Sequence, residues 1–245
     1  MRAAAPAALV LALAGALAGA GCAAPPGAAA PDGRTPRTEA MSADQLGQTD
    51  FNRTVTIAMR DNLASLDVLL DKFYRRNPSQ WRKSGAPDMQ TAIRRVQSSM
   101  RSGRPPAGLG GLRDIQILAV ALDPAYPGDR VAAFVYGLAD TLIAAHGGKT
   151  RFYATDMLDG QHVFNAARNV EAAAWMLGSR RDPQGQPLLL ANEISEQGSN
   201  LSFEREFGAL IGRLDLIANL LGENTRRVGI NYAQGLMFFS FLPVR

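Results

Sequence analysis

The 245-residue sequence holds one cysteine and two histidines, and only 7% of it is aromatic. A single cysteine excludes an intramolecular disulfide framework, a cysteine zinc cage and a CxxC redox pair, and two histidines leave few ways to assemble an imidazole metal site. HExxH, GxSxG and GxGxxG are all missing, and with them the signatures of zincins, nucleophile elbows and dinucleotide sites. Charged residues make up 20% of the chain against 47% apolar, with a net charge of +4. A chain of this length and composition has enough apolar residues for one sizeable domain around one core. No metal and no cofactor are expected.

Alanine is unevenly spread: it fills 15 of the first 30 positions, and Ala7 to Ala20 carries no charge. Arg2, that apolar run and the small residues Gly19, Ala20 and Gly21 make a signal-peptide pattern, too short and wrongly flanked for a membrane span. The lone cysteine follows at once, in Leu17-Ala18-Gly19-Ala20-Gly21-Cys22. This stretch resembles a bacterial lipoprotein signal. The resemblance implies cleavage after residue 21, diacylglycerol on the Cys22 thiol and acylation, commonly by palmitate, of the new amine. Gly19 stands where Leu is commonest, which leaves ordinary secretion by a different peptidase open. Ala23 after the cysteine implies the outer membrane, on its periplasmic side. Each buried methylene contributes about 0.8 kcal/mol, so two or three acyl chains hold a protein that one would release.

Ala23 to Ala40 contains Pro25, Pro26, Pro31 and Pro36 among alanines and glycines. Such a segment has too little apolar bulk to offset its ordering entropy and reads as a tether reaching on the order of 50 Å. The expected organisation is a signal peptide over 1–21, a lipidated tether over 22–45 and a helical domain over 46–245.

In that domain the apolar residues recur at helical spacing. Phe51, Val55, Leu63, Leu66, Leu70 and Phe73 form one stripe, ended by Asn77-Pro78; Met89, Ile93, Val96 and Met100 form another, closed by Gly103. Leu112 to Leu122 is shorter and uniformly apolar, and Ala119 and Ala121 favour a buried helix over a strand. Further helices are expected between Asp129 and Gly147-Gly148 and between Asp159 and Gly178, and a long one carries Phe203, Phe207, Leu210, Leu214, Ile217 and Leu221. The fold class is all-α, a bundle of six or seven helices, with a small β-hairpin near 180–191 suggested by Asp182-Pro183-Gln184-Gly185. The uncharged stretch Val228 to Val244 reads as a core helix, with membrane or partner contact as the alternative. Asp123-Pro124-Ala125-Tyr126-Pro127-Gly128-Asp129-Arg130 and Asn165-Ala166-Ala167-Arg168-Asn169 resemble segments of proteobacterial lipoproteins without an assigned activity. That resemblance implies no functional residue.

Signals for chemistry are few. Gly148-Lys149-Thr150 would end a P-loop, but Ile143 occupies the position of its first glycine and a helix precedes it. His162, Asn165 and Asn169 fall on one side of a helix beside Arg168 and Glu171, with His146 ending the helix before. A general base needs such neighbours, so an envelope hydrolase around His162, Asn165, Arg168 and Asn169 is one reading; a hydrogen-bonded polar seam is the other. Asp156 and Asp159 read as helix caps before metal ligands. The most distinctive feature is residues 75–104, where Arg75, Arg76, Arg82, Lys83, Arg94, Arg95, Arg101 and Arg104 face Asp88 alone. Arg75, Arg76, Arg82, Lys83, Arg94 and Arg95 are the candidate contacts for an anionic lipid, lipopolysaccharide or an acidic envelope protein; the leader argues against nucleic acid. The expected function is a lipid-anchored envelope protein with a structural or binding role, reaching the membrane through acyl chains on Cys22.

Overall fold

A computed structural model describes residues 42–195 and 198–239. The leader, Cys22 and most of the tether lie outside the described residues. Contacts divide the chain after Ser42, and the unit from Ala43 onward is described by itself. It is all-α. A 3-10 turn, Ala43–Gly47, precedes α1 (Asp50–Arg76), α2 (Pro78–Lys83), α3 (Met89–Ser102), α4 (Asp114–Ala121), α5 (Arg130–Ala145), α6 (Gly160–Ser179) and α7 (Ser202–Phe239). One antiparallel ladder, β1 (Glu193–Ser195) with β2 (Gly198–Asn200), pairs Glu193 with Asn200 and Ser195 with Gly198.

The helices start and stop where side chains satisfy their free backbone groups. Thr49, Asp88, Asp129 and Asp159 each accept a hydrogen bond from the first turn of the helix they precede, and Gly103 closes α3 in the left-handed region at φ 65°. The short α2, with Pro78 in its first turn, fills the stretch after Asn77-Pro78. The Leu112–Leu122 run is the helix α4, and its Ile117, Leu118 and Ala121 are buried. The hairpin expected near 180–191 is a turn closed by a single bridge between Arg181 and Pro187, and the three-pair ladder comes later, at 193–200. Pro187 has no N–H to extend a ladder, and Leu188 and Leu189 turn into the protein instead.

α5 is the middle of the bundle. Every residue from Arg130 to Leu142 is buried, and the helix touches α1, α2, α3, α4 and α6. α4 approaches it at Gly137, where a Cβ would lie 3.0 Å from Leu118 Cδ2 and 3.2 Å from Ile117 Cγ2. An aromatic ladder ties α1, α5 and α7: the Phe73 ring is 5.8 Å from Phe134 and 4.7 Å from Phe203, and Phe134 is 6.3 Å from Phe207.

α7 runs antiparallel to both α1 and α6. Lys72 Nζ donates to Ser202 O at 2.8 Å and Arg213 Nη1 to Asn62 Oδ1 at 2.9 Å, while Arg168 Nη2 reaches both Asp215 carboxylate oxygens at 2.8 and 2.7 Å. The run from Val228 belongs to this helix as far as Phe239. No helix among the described residues is long and apolar enough to cross a membrane.

Two substitutions test this packing. Gly137→Val should destabilise by about 1–3 kcal/mol, because its methyls have no room against α4. Leu214→Asp, at a position 1% exposed, should cost several kcal/mol through an unpaired buried carboxylate. Thermal denaturation followed by circular dichroism measures both, and unchanged melting temperatures would contradict the packing described.

Candidate functional site

The basic segment, the Asp123–Arg130 run and the end of α1 meet at one cleft of about 340 Å³, at the small end of the range for small-molecule sites. Its depth is set by Tyr74 and Asp129. The Tyr74 hydroxyl donates to Asp129 Oδ2 at 2.7 Å, and Asp129 Oδ1 accepts from Ala132 N–H at 3.0 Å as the cap of α5. Burial pushes the Asp129 carboxyl above its ordinary value, outweighing the hydrogen bonds from Ala132 and Tyr74 and the nearby Lys83 charge that pull it down. Burial, then the Asp129 charge, push the Tyr74 hydroxyl up so that it stays a donor.

The walls are small and apolar: Ala92 and Val96 from α3 on one side, Pro105 and Pro106 after Gly103 on another. Tyr126 closes a third, folded so tightly over Gly128 that a Cβ there would lie 2.4 Å from its hydroxyl. Underneath, the Arg130 guanidinium fastens the turn by donating to Ala121 O, to Asp123 O at 2.7 Å and to Pro124 O and Tyr126 O at 3.3 Å. Five donors in a planar fork suit this cage of carbonyls, which a lysine would not fill. Desolvation lowers the Arg130 pKa from its ordinary value, but a guanidinium starts so high that it remains charged.

Lys83 and Arg95 occupy the rim. Lys83 Nζ lies 3.4 Å from both Gln80 Oε1 and Gly128 O, and Arg95 Nη1 donates to Ser84 O at 3.1 Å. Neither is ion-paired among the described residues. The remaining basic candidates are placed otherwise. Arg75 pairs with Asp71 at 2.7 Å and Arg76 with Glu193 at 2.6 Å. Arg82 lies over the Trp81 ring at 5.2 Å, and Arg94 Nη2 donates to Thr91 Oγ1 at 2.7 Å. Folding thus divides the charge cluster, committing part of it to intramolecular contacts and leaving Lys83 and Arg95 at a cavity.

The His162 group is spread over an exposed face of α6 rather than gathered around a cavity. The His162 side chain is 67% exposed and its Nδ1 lies 4.0 Å from Asp159 Oδ2; Asn165 accepts from Gln161 Nε2 at 2.8 Å. Arg168 is taken by Asp215 and by Glu171 at 3.2 Å, which makes it a strut between α6 and α7. Asn169 is half-buried on the same helix. His146 does not join them: it is buried, its Nδ1 2.8 Å from Leu142 O and its ring 5.8 Å from Phe152, and desolvation lowers its pKa. Asp159 caps α6, accepting from Gln161 N–H at 2.7 Å, and Asp156 pairs with Lys149 and accepts from Tyr153 N–H at 2.9 Å. The Lys149 contact and the Tyr153 bond hold the Asp156 carboxyl below its usual range. Gly147 and Gly148, at φ 68° and 77°, end α5 as a C-cap, so the Gly-Lys-Thr sequence cradles no phosphate. Among the described residues no group of three or more histidine, cysteine, aspartate and glutamate side chains could hold a metal ion.

The Tyr74–Asp129 floor and the proline wall were not anticipated as site elements. Asp129 read as a helix cap and Tyr74 as a neighbour of the basic run. The available signal was Pro124, Pro127 and Gly128 bracketing Tyr126, a rigid turn carrying a polar aromatic. No protein-family model, curated protein or solved structure matches this chain.

Asp129 gives the site a pH signature. Its folded pKa lies above the unfolded one, so the folded state holds the proton more tightly, and stability falls as pH rises from the ordinary aspartate range through the folded pKa. Asp129→Asn keeps an oxygen to accept from the Ala132 N–H and turns an amide N–H to the Tyr74 hydroxyl, which can accept it, and should flatten that decline. Asp129→Ala should cost roughly 2–4 kcal/mol, from a lost cap and an orphaned buried hydroxyl. Melting temperatures across pH 3 to 8, on the order of the aspartate and neutral ranges, distinguish the two; a pH response unchanged in Asp129→Asn would refute the assignment.

Proposed function

We propose that this protein is a lipid-anchored binding component of a bacterial cell envelope, tethered through Cys22 and presenting the cleft to the periplasm. The observation that carries the binding role is the pair of cations, Lys83 and Arg95, standing without ionic partners among the described residues on the rim of a preformed cavity with apolar walls. That combination suits an anionic group attached to a compact apolar body, with the Tyr74–Asp129 pair and the Tyr126 hydroxyl as polar contacts at depth. The Asp129 carboxylate at its floor is occupied by the α5 cap and by Tyr74. The anchor rests on the leader and on the position of the single cysteine. The proline-rich segment before the body then supplies the reach.

Labelled fatty acid should enter the wild-type protein and not Cys22→Ser; equal labelling would refute the anchor. For the cleft, Lys83→Gln with Arg95→Gln should weaken binding of anionic lipid or lipopolysaccharide about ten-fold, and wild-type binding should fall as salt rises. Arg75→Gln with Arg76→Gln should have the smaller effect, since those guanidinium groups are already paired. If the two double variants behave alike, the cleft is not the site.

A further inference from the structure

A second cleft, of about 700 Å³, opens between α1, α3, α5 and the loop that follows α5, well within the range of small-molecule sites. Two carboxylates and two guanidinium groups line it, Asp67 and Asp140 with Arg101 and Arg113. Leu63, Met100 and Ile143 supply apolar wall. The four charges balance in number but do not cancel in pairs. Buried Asp140 accepts from Asp114 N–H at 2.7 Å through Oδ2 and lies 3.1 Å from Arg113 Nη2 through Oδ1, so both of its oxygens are engaged. Asp67 Oδ1 accepts from Gln97 Nε2 at 3.1 Å, which leaves Oδ2 without a donor among the described residues. Asp67 and Arg101 form no ion pair among the described residues, with each other or with a third group. One negative and one positive charge thus stand uncommitted in the same cavity.

α3 sets how far apart these two charges stand. Gln97 meets Asp67, and Arg101 follows Gln97 by four residues on the same face, about 6 Å further along the helix axis. Arg113 Nη1 lies 3.5 Å from Gly103 O, two residues after Arg101, so both arginines belong to the end of the cleft where α3 stops. The cavity is therefore acidic at Asp67 and basic at Arg101 and Arg113. A ligand with a single charge satisfies one end and leaves the other uncompensated in a partly dehydrated site; a ligand with one charge of each sign satisfies both. An amino acid carries its ammonium and carboxylate on one Cα, and each further residue separates them by up to about 3.8 Å. Two or three residues match a spacing of about one helical turn.

We propose that this cleft binds a short peptide with free termini, its ammonium on Asp67, its carboxylate on Arg101 beside Arg113, and an apolar side chain against Leu63, Met100 and Ile143. The planar fork of the Arg101 guanidinium suits a carboxylate, which it can hold through two parallel hydrogen bonds. Gln97 fixes the Asp67 carboxylate in place while leaving its second oxygen for the ammonium. This cavity shares no lining residue with the cleft of Lys83 and Arg95, so the peptide site stands whether or not that cleft binds an anion and whether or not Cys22 is acylated.

Isothermal titration of the full chain with alanyl-leucine tests the site. Wild-type protein should bind alanyl-leucine at least roughly ten-fold more tightly than N-acetyl-alanyl-leucine, which lacks the ammonium, and than alanyl-leucine amide, which lacks the carboxylate. That comparison needs no variant. Asp67→Asn keeps the acceptor for Gln97 and should erase the preference over the acetylated peptide while retaining the preference over the amide. Arg101→Gln should do the converse. Arg205→Gln, which removes the same charge from an exposed position of α7, should bind like wild type, and circular dichroism checks that all four proteins are equally helical. No binding at millimolar alanyl-leucine, equal affinity for the three peptides, or variants that keep both preferences would overturn the proposal. So would tighter binding of free leucine than of alanyl-leucine.

Discussion

Thirteen consecutive residues of α5, Arg130 to Leu142, are buried, and a helix with no solvent face needs a partner on every side. That requirement explains why so short a helix is surrounded by α1, α2, α3, α4 and α6. It also forces the polar groups at its ends to be satisfied inside the protein, since a buried charge left alone would move the chain or lose its proton. At the start Asp129 meets Tyr74 and Arg130 meets four carbonyls; further on, Asp140 Oδ2 accepts from Asp114 N–H at 2.7 Å and Oδ1 lies 3.1 Å from Arg113 Nη2. Each of these contacts also positions something else. Arg130 shapes the turn that walls the cleft, and Asp140 holds the start of α4, where Asp114 takes a positive φ of 40°.

Periodicity made most of the helices readable because their apolar residues face one way and their ends carry caps. Asp88, Asp129 and Asp159 before helices, and Gly103 and Gly147 after them, mark boundaries through local chemistry that needs no tertiary information. The hairpin was harder for the converse reason. Pro187 to Leu190 has strand-like composition, but its conformation is decided at a distance: the Asn77 side chain takes the place of a strand partner, accepting from Leu190 N–H at 2.8 Å and donating to Leu190 O at 3.0 Å. One side chain at the end of α1 thereby pins a segment 113 residues later. The charge cluster was legible as a cluster, but its division was not. Whether Arg76 is free depends on Glu193, and whether Lys83 is free depends on where Gly128 comes to lie.

The cleft and the Ala43–Gly47 turn lie at opposite ends of one antiparallel arrangement. α1 runs from the end that follows the Ala43–Gly47 turn to the end where Tyr74 meets Asp129, and α5 returns in the opposite direction, its His146 packed on Phe152, whose N–H donates to Thr56 near the start of α1. From Asp50 to Tyr74 is 24 residues of α-helix, about 36 Å at 1.5 Å per residue. The basic-rimmed cleft therefore lies a few tens of ångströms from the Ala43–Gly47 turn. At that distance, several Debye lengths at physiological salt, charges beside that turn are screened from Lys83 and Arg95. The two cations therefore answer to what enters the cleft, and its electrostatics are set by its own walls, by the buried Asp129 and by the nearby Lys83 charge rather than by groups at the far end of the bundle.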